Sequence, residues 1–317
     1  MTTVRIPRLD KDVCRLSLGT GWFGSDNEAG IHRLLDAYVE LGGNILDTGR
    51  FYNGGKSEPV VARWLQKTGC RDRLVITNKA CHHYVDENNV HHIEQSRVRP
   101  EYITEDLLYS LDNMQLDHFD IYLLHRDDES QPVEGLMDRL EQHRLEGRIT
   151  AYGVSNWSIP RIGQAQAYAQ KMGYQGLCVN SPSFSLATIV KPRFYGCVYA
   201  DEDYMAWHRD KKVQLIAWAP LAVGFFADVY KRDGSAPADI VSTYFCQENF
   251  EKLARVQLMA AEKRVEPIHI ALAYVLNQPI PVIAAIGPRT EQELRSLMPA
   301  AALPLTGEEL EWLKSGR

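Results

Sequence analysis

The feature that most restricts this chain is the repetition of short apolar runs, most of them followed by one helix-like segment. Eight runs read as strands: residues 14–20, 44–48, 73–79, 119–125, 149–156, 176–181, 213–220 and 281–287. Segments 28–42, 57–69, 104–115, 132–147, 158–173, 248–264 and 267–278 carry apolar residues three and four apart, the spacing of an amphipathic helix, and a last helix starts near Thr290. The strands are nearly continuous in apolar character, as "FDIYLLH" shows. Such strands are buried on both faces, the condition of a parallel sheet covered by helices. Eight units predict a closed (β/α)8 TIM barrel, one domain over residues 1–317, with insertions at about 81–100, 182–200 and 221–246 and a C-terminal tail. An open doubly wound sheet is the alternative, but no G-x-G-x-x-G follows the first strand.

Composition narrows the function classes. The net charge of −6 counts against nucleic acid or an anionic membrane surface as partner. No apolar run reaches the roughly 20 residues of a spanning helix. The opening residues, "MTTVRIPRLDKDVCRLSL", have scattered charges and no signal-peptide core, so a cytoplasmic protein is expected. Six dispersed cysteines without a C-x-x-C suggest neither a disulfide framework nor a zinc site.

A barrel of this kind carries its chemistry at the C-terminal ends of its strands. Reading those ends in order gives Gly19, Thr20, Gly21 and Trp22; Asp47, with Tyr52 in the following loop; Lys79; His125; Ser155 and Asn156; Asn180 and Ser181; Trp218; and Gly287. Four titratable groups therefore converge on one mouth: Asp47, Tyr52, Lys79 and His125. A phenol is a poor acid at neutral pH, but a neighbouring ammonium stabilises the phenolate and lowers its pKa. A carboxylate beside the amine holds it charged, and a histidine orients or donates to a substrate oxygen. Taken singly, Asp47 reads equally as a turn cap and Tyr52 as a packed aromatic; their joint placement carries the reading. Lys79 is the most telling, because an amine that ends a buried strand needs a partner. In "GGNILDTGRFYNGGKSE", Gly54 or Gly55 is expected to take a positive φ, and Ser57 to cap the helix that follows.

The segments "NILDTGRFYNGGKSE", "VITNK", "IYLLH", "GVSN" and "IAWAPLAVGFF" occur in the order found in the aldo-keto reductase superfamily, which the chain resembles over nearly its whole length. The resemblance implies an enzyme that transfers a hydride between a nicotinamide cofactor and an aldehyde, ketone or sugar-like carbonyl or alcohol. Tyr52 would be general acid in reduction and general base in oxidation, Lys79 paired to Asp47 would tune it, and His125 would orient the carbonyl. NADP(H) or NAD(H) would lie across the barrel mouth without a Rossmann fold. Ser155 and Asn156 match the carboxamide-binding pair, Trp218 the aromatic that stacks on the nicotinamide, and "PLAVGFF", with Leu221 and Gly224, the segment over the pyrophosphate. Gly21, Trp22, Ala219 and Gly287 fall along the same cofactor path. A non-catalytic barrel that binds cofactor as a redox sensor or regulatory subunit is the alternative within the superfamily.

The chain departs from the family pattern in two places. Ser181 stands where glutamine is common, which shortens or removes one carboxamide contact. The last strand-to-helix loop reads "GPRTEQELRSL", with Glu293 for the usual Gln or Arg and Ser296 and Leu297 for the Glu-Asn pair that holds adenine. Arg289 can meet a 2′-phosphate as a charged donor, whereas Glu293 repels one, so NADP(H) keeps only a slight preference over NAD(H). Trp22, His82, Arg126 and Trp157 are the candidates for the substrate pocket, and the partner is a small molecule. Arg126, Asp127 and Asp128 read either as a solvated turn or as groups for a hydroxylated substrate. His82, His83, His91 and His92 invite a metal reading, but no ligand set stands at a recognisable spacing, so no metal is expected. The 81–100 insertion that holds them is expected to form a rim or lid over the substrate. The sequence does not specify an oligomeric state.

Overall fold

In the computed structural model, which describes residues 2–86, 90–209, 211–233 and 235–317, all eight apolar runs form strands of one closed parallel barrel. They are β1 (Leu16–Gly19), β2 (Ile45–Asp47), β3 (Val75–Ala80), β4 (Phe119–Leu124), β5 (Ile149–Ser155), β6 (Val179–Ser181), β7 (Gln214–Trp218) and β8 (Val282–Ile286). Neighbours follow chain order, and the barrel closes where Ala284, Ala285 and Ile286 of β8 pair with Leu16, Ser17 and Leu18 of β1. No helix among the described residues is long and apolar enough to cross a membrane.

The strands are shorter than the apolar runs, for local reasons. Cys14, read as the start of the first strand, ends instead a short antiparallel pair, Thr3–Arg5 with Asp12–Cys14. That pair is tied to the N-terminal ends of the barrel strands. Asn44, just before β2, accepts from Cys14 N and donates to Asp12 O, both at 2.8 Å, and Lys11 donates to Leu74 O, just before β3, at 2.9 Å. It therefore covers the end opposite the candidate site. Along β5, a side chain at Gly153 would meet the Val179 carbonyl at 2.1 Å, so β5 and β6 approach this closely only because the residue is glycine.

The surrounding helices include α1 (Glu28–Glu40), α2 (Ser57–Thr68), α3 (Pro100–Met114), α4 (Val133–Leu145) and α5 (Ile159–Met172). The helix expected from 104 starts four residues earlier, because Arg99 is extended and Pro100 takes the first helical position, where its missing N–H costs nothing. Ser57 is not an N-cap. Lys56 is already helical (φ −80, ψ −15), and the Ser57 hydroxyl, in the first turn, donates to Thr20 O at 2.8 Å. This ties the start of α2 to the end of β1. The 81–100 insertion holds a small hairpin, Tyr84–Val85 with His91–His92. The later helices α6 (Glu202–Arg209), α7 (Ala238–Tyr244), α8 (Gln247–Lys263), α9 (Pro267–Leu276), α10 (Glu291–Ala300) and α11 (Gly307–Ser315) complete the outer layer. In α11 Thr306 and Glu309 form a reciprocal cap, so the tail is helical.

One buried carboxylate holds the loops on the site side. Asp106 of α3 has no solvent exposure, accepts from Cys81 N at 2.8 Å, and pairs with the guanidinium groups of Arg97 and Arg50. It thereby fixes the start of the 81–100 insertion, its end, and the loop that carries Tyr52. Removing one member of such a set leaves buried charge without a partner. Asp106→Ala is expected to lower stability by about 3–5 kcal/mol, measured by urea unfolding; a loss below about 1 kcal/mol would refute this anchoring role.

Candidate active site

The four titratable groups meet at the C-terminal mouth. Lys79, near the end of β3, is 4% exposed, and Asp47, the last residue of β2, is 7% exposed. The ammonium spends its three protons on three acceptors: Asp47 Oδ1 at 2.6 Å, Tyr52 Oη at 2.7 Å and the Thr48 carbonyl at 3.0 Å. Tyr52 Oη in turn donates to Asp47 Oδ2 at 3.0 Å. The loop reaches this point through successive turns. Asn53, Gly54 and Gly55 all take positive φ (51°, 61° and 83°), more than the single glycine expected. The Tyr52 ring passes between two further glycines: side-chain carbons built at Gly21 and Gly49 would lie 3.9 and 3.4 Å from it.

The electrostatic balance differs from the expectation of a depressed phenol. The Tyr52 pKa lies well above its ordinary value, first because the phenol is buried, then because the Asp47 carboxylate faces it and accepts its proton. Lys79 is pulled below its ordinary value by burial, with Asp47 opposing. Desolvation and the Asp47 carboxylate act in the same direction at the phenol, and the more distant charge of Arg126 opposes them without reversing the sign. The His125 ring makes no hydrogen bond among the described residues and packs edge-on to Tyr52 (5.8 Å between centroids) and against His82 (4.7 Å). Burial first, then the charge of Arg126, keeps its pKa well below 6.5, so it is neutral.

The expected cofactor positions divide into free and committed groups. Asn156, with φ 62°, has its amide saturated: it donates to His125 O and Ser155 Oγ and accepts from Trp218 Nε1 and Val198 N. Ser155 Oγ donates to Ser181 O at 2.7 Å and keeps one lone pair. The Ser181 hydroxyl has no hydrogen-bond partner among the described residues and is free to bind. Trp218 is half-buried and held by Asn156 at 3.1 Å. Beyond it, Ala219, Ala222, Val223 and Gly224 all have positive φ, three of them non-glycine, with Leu221 between. Gly21 and Gly287 are exposed, and Trp22 Nε1 is buried without a partner. The Arg289 guanidinium lies 4.8 Å over the Trp22 ring. The Glu293 carboxylate accepts from Arg289 N at 2.8 Å, so it buttresses its own loop as well as bearing charge.

The substrate-side candidates also separate. Trp157 is fully buried and donates to Arg126 O at 3.0 Å, so it supports the wall from behind and does not line it, contrary to expectation. Asp127 pairs with Arg161 at 3.1 Å, and Asp128 accepts from Ser96 and Ser130; both are structural. His82, His83 and His91 bring ring nitrogens within 4.8 Å of one another. Yet His82 uses both nitrogens, one with His83 O at 2.9 Å and one with Arg126 at 3.2 Å, and His83 and His91 bond each other at 2.7 Å. A guanidinium on this cluster also opposes a dication. Sequence reading missed Gly49, the Thr48 carbonyl and the Asp106 anchor; only Gly49, two residues after Asp47, left a visible signal.

The model of the Aldo/keto reductase family matches residues 15–315. The chain belongs to this family. It is 26% identical over 306 residues to "Uncharacterized oxidoreductase YrpG" of Bacillus subtilis, covering 95% of this chain and 91% of that protein. It is also 26% identical to norsolorinic acid reductase of Aspergillus flavus, over 93% of this chain and 74% of that one. The solved structure of the glycerol dehydrogenase AKR11B4 from Gluconobacter oxydans matches with a TM-score of 0.80 at 25% identity, over 98% of this chain and 93% of the other. As an aldo/keto reductase the protein is an oxidoreductase, and the family generally uses NAD(P)H.

The pKa directions give a sign. A raised Tyr52 keeps its proton across the ordinary range, and a lowered His125 stays neutral into the acid range. With Tyr52 as the proton donor, carbonyl reduction is expected to hold kcat/KM flat from about pH 6 to 9; with its phenolate as the proton acceptor, alcohol oxidation should rise with pH without a plateau below about pH 10. Initial rates in both directions check this; a reductive rate halved by about pH 7.5 would contradict it.

Proposed function

We propose that the protein is an NAD(P)(H)-dependent aldo/keto reductase in which Tyr52 exchanges a proton with the substrate oxygen. The observation that carries this reading is the Lys79 ammonium, bound at once to Asp47 (2.6 Å) and Tyr52 (2.7 Å) at the mouth of the barrel. A substrate carbonyl would lie between Tyr52 Oη and the unbonded His125 ring. In reduction Tyr52 gives its proton to the oxygen as the carbon receives the hydride, and the phenolate left behind is held by Lys79. In oxidation the same groups run in reverse. A bound nicotinamide cofactor supplies or accepts the hydride. His125, being neutral, positions the oxygen with one N–H and does not compete as the acid.

The donor set fits such a cofactor. The free Ser181 hydroxyl and the spare lone pair of Ser155 suit a carboxamide; Asn156 acts by fixing Trp218. The run of left-handed residues after β7 is a conformation that costs energy and is found at ligand clamps. Gly21 and Gly287 leave room for close approach, and Arg289 supplies positive charge beside Trp22. Glu293 places a carboxylate at the same helix start, which weakens the preference for a 2′-phosphate.

Tyr52→Phe is expected to lower turnover by at least about 10²-fold while cofactor binding, followed by tryptophan quenching, survives. The assay is a panel of aldehydes, ketones and sugars with NADPH and NADH. Bound cofactor that no carbonyl oxidises would favour a non-catalytic sensor. Glu293→Gln is expected to shift the NADPH-to-NADH affinity ratio upward by about 3- to 10-fold; an unchanged ratio would remove Glu293 from cofactor selection.

A further inference from the structure

Among the described residues, the Arg126 cation at the mouth has no acidic partner. The Arg126 guanidinium, directly after His125, donates to His125 O at 2.9 Å and to His82 Nε2 at 3.2 Å, and its Nε is buried without an acceptor. No carboxylate among the described residues pairs with it. The two acids that follow are turned away, Asp127 to Arg161 and Asp128 to Ser96 and Ser130. The histidines around it are held neutral: burial first and then Arg126 push His82 down to about 2 and His83 to about 4. His82, as acceptor from the guanidinium and donor to His83 O, is thus a neutral bracket rather than a counter-ion.

A guanidinium taken partly out of water without an anion is costly, and the surrounding contacts hold it in place instead of letting it swing out. Trp157 fixes its backbone carbonyl, and the chain at Gly196 passes close to its side-chain stem, a carbon built there falling in ordinary contact, 3.5 Å from Arg126 Cδ. The charge is felt by Tyr52, Lys79 and His125, the groups that define where a carbonyl would sit. We propose that Arg126 is a specificity residue that binds a carboxylate on the substrate, so that the enzyme acts on oxo acids and the matching hydroxy acids, including sugar acids. The guanidinium fork suits a planar carboxylate, which its unspent N–H groups can bind. This rests on the oxidoreductase reading, and the test separates the two.

Wild-type kcat/KM is compared for 4-oxobutanoate against its methyl ester and for D-glucuronate against D-glucose. The charged member is expected to lead by about 10-fold or more, mainly through KM. Arg126→Gln should bring the ratio close to one, and Arg126→Lys should keep part of it. Calorimetry with succinate and with succinamide, each in the presence of NADP+, reads binding without turnover; succinate alone should bind, and Arg126→Gln should weaken it by about 10-fold. Should Arg126→Gln fail to fold, the wild-type ratios and Arg126→Lys still decide. Uncharged members reduced as well as charged ones would overturn the role of Arg126 and leave the oxidoreductase reading standing. Succinate bound through Arg126 with no carbonyl reduced would overturn the oxidoreductase reading and leave the anion site.

Discussion

The arrangement of the mouth depends on one ammonium that cannot reach water. Lys79 is the last residue but one of a strand with every side chain buried, and an amine there is tolerable only if each of its protons finds an acceptor. The fold supplies all three: the carboxylate that ends β2, the carbonyl of the next residue, and the phenol of the following loop. Adjacent parallel strands in register, Asp47 opposite Thr77, put the acid within reach without any adjustment of the loops. The ammonium and Asp47 belong to strands, whereas Tyr52 is carried by a loop. Its position is set by the turns at Asn53 to Gly55 and by the bond from Ser57 to Thr20. A loop is thus made to present a proton at a fixed point.

A second layer of buried charge holds the rim. Asp106 gathers Arg50, Arg97 and the Cys81 amide, so the Tyr52 loop and both ends of the 81–100 insertion share one anchor. The insertion can then vary in its hairpin without disturbing its roots. The charges of this layer are paired and buried, whereas Arg126, next to His125, has no carboxylate partner among the described residues. The proposed role of Arg126 rests on that division between a cation that builds the fold and one without an acid.

The strands and the four titratable groups were legible because both follow short-range rules: continuous apolar runs mark buried strands, and barrel geometry fixes what stands at their ends. Details that depend on partners distant in sequence were not legible. Ser57 looks like a cap because serine before a helix usually is one, yet the chain is already helical at Lys56 and the hydroxyl is drawn to Thr20. Trp157 follows a strand end as a pocket residue would, but its indole turns inward to Arg126 O. The direction of the Tyr52 shift could not be read either, since it depends on how deeply the phenol is buried and on the proton it donates to Asp47.

Three consecutive charged residues show the same limit most sharply. Arg126, Asp127 and Asp128 read as one polar turn, and as a unit they would be a self-neutralising, solvated patch. The fold separates them. Asp127 is claimed by Arg161 of α5 and Asp128 by two serines, so neither carboxylate is left to cancel the arginine beside it. The histidines of the insertion, placed near Arg126, stay neutral and cannot cancel it by repulsion or attraction of full charge. A positive field therefore survives at the mouth of a protein whose net charge is −6. Overall charge thus says little about which substrates such a site admits; the local pairing of each acid does.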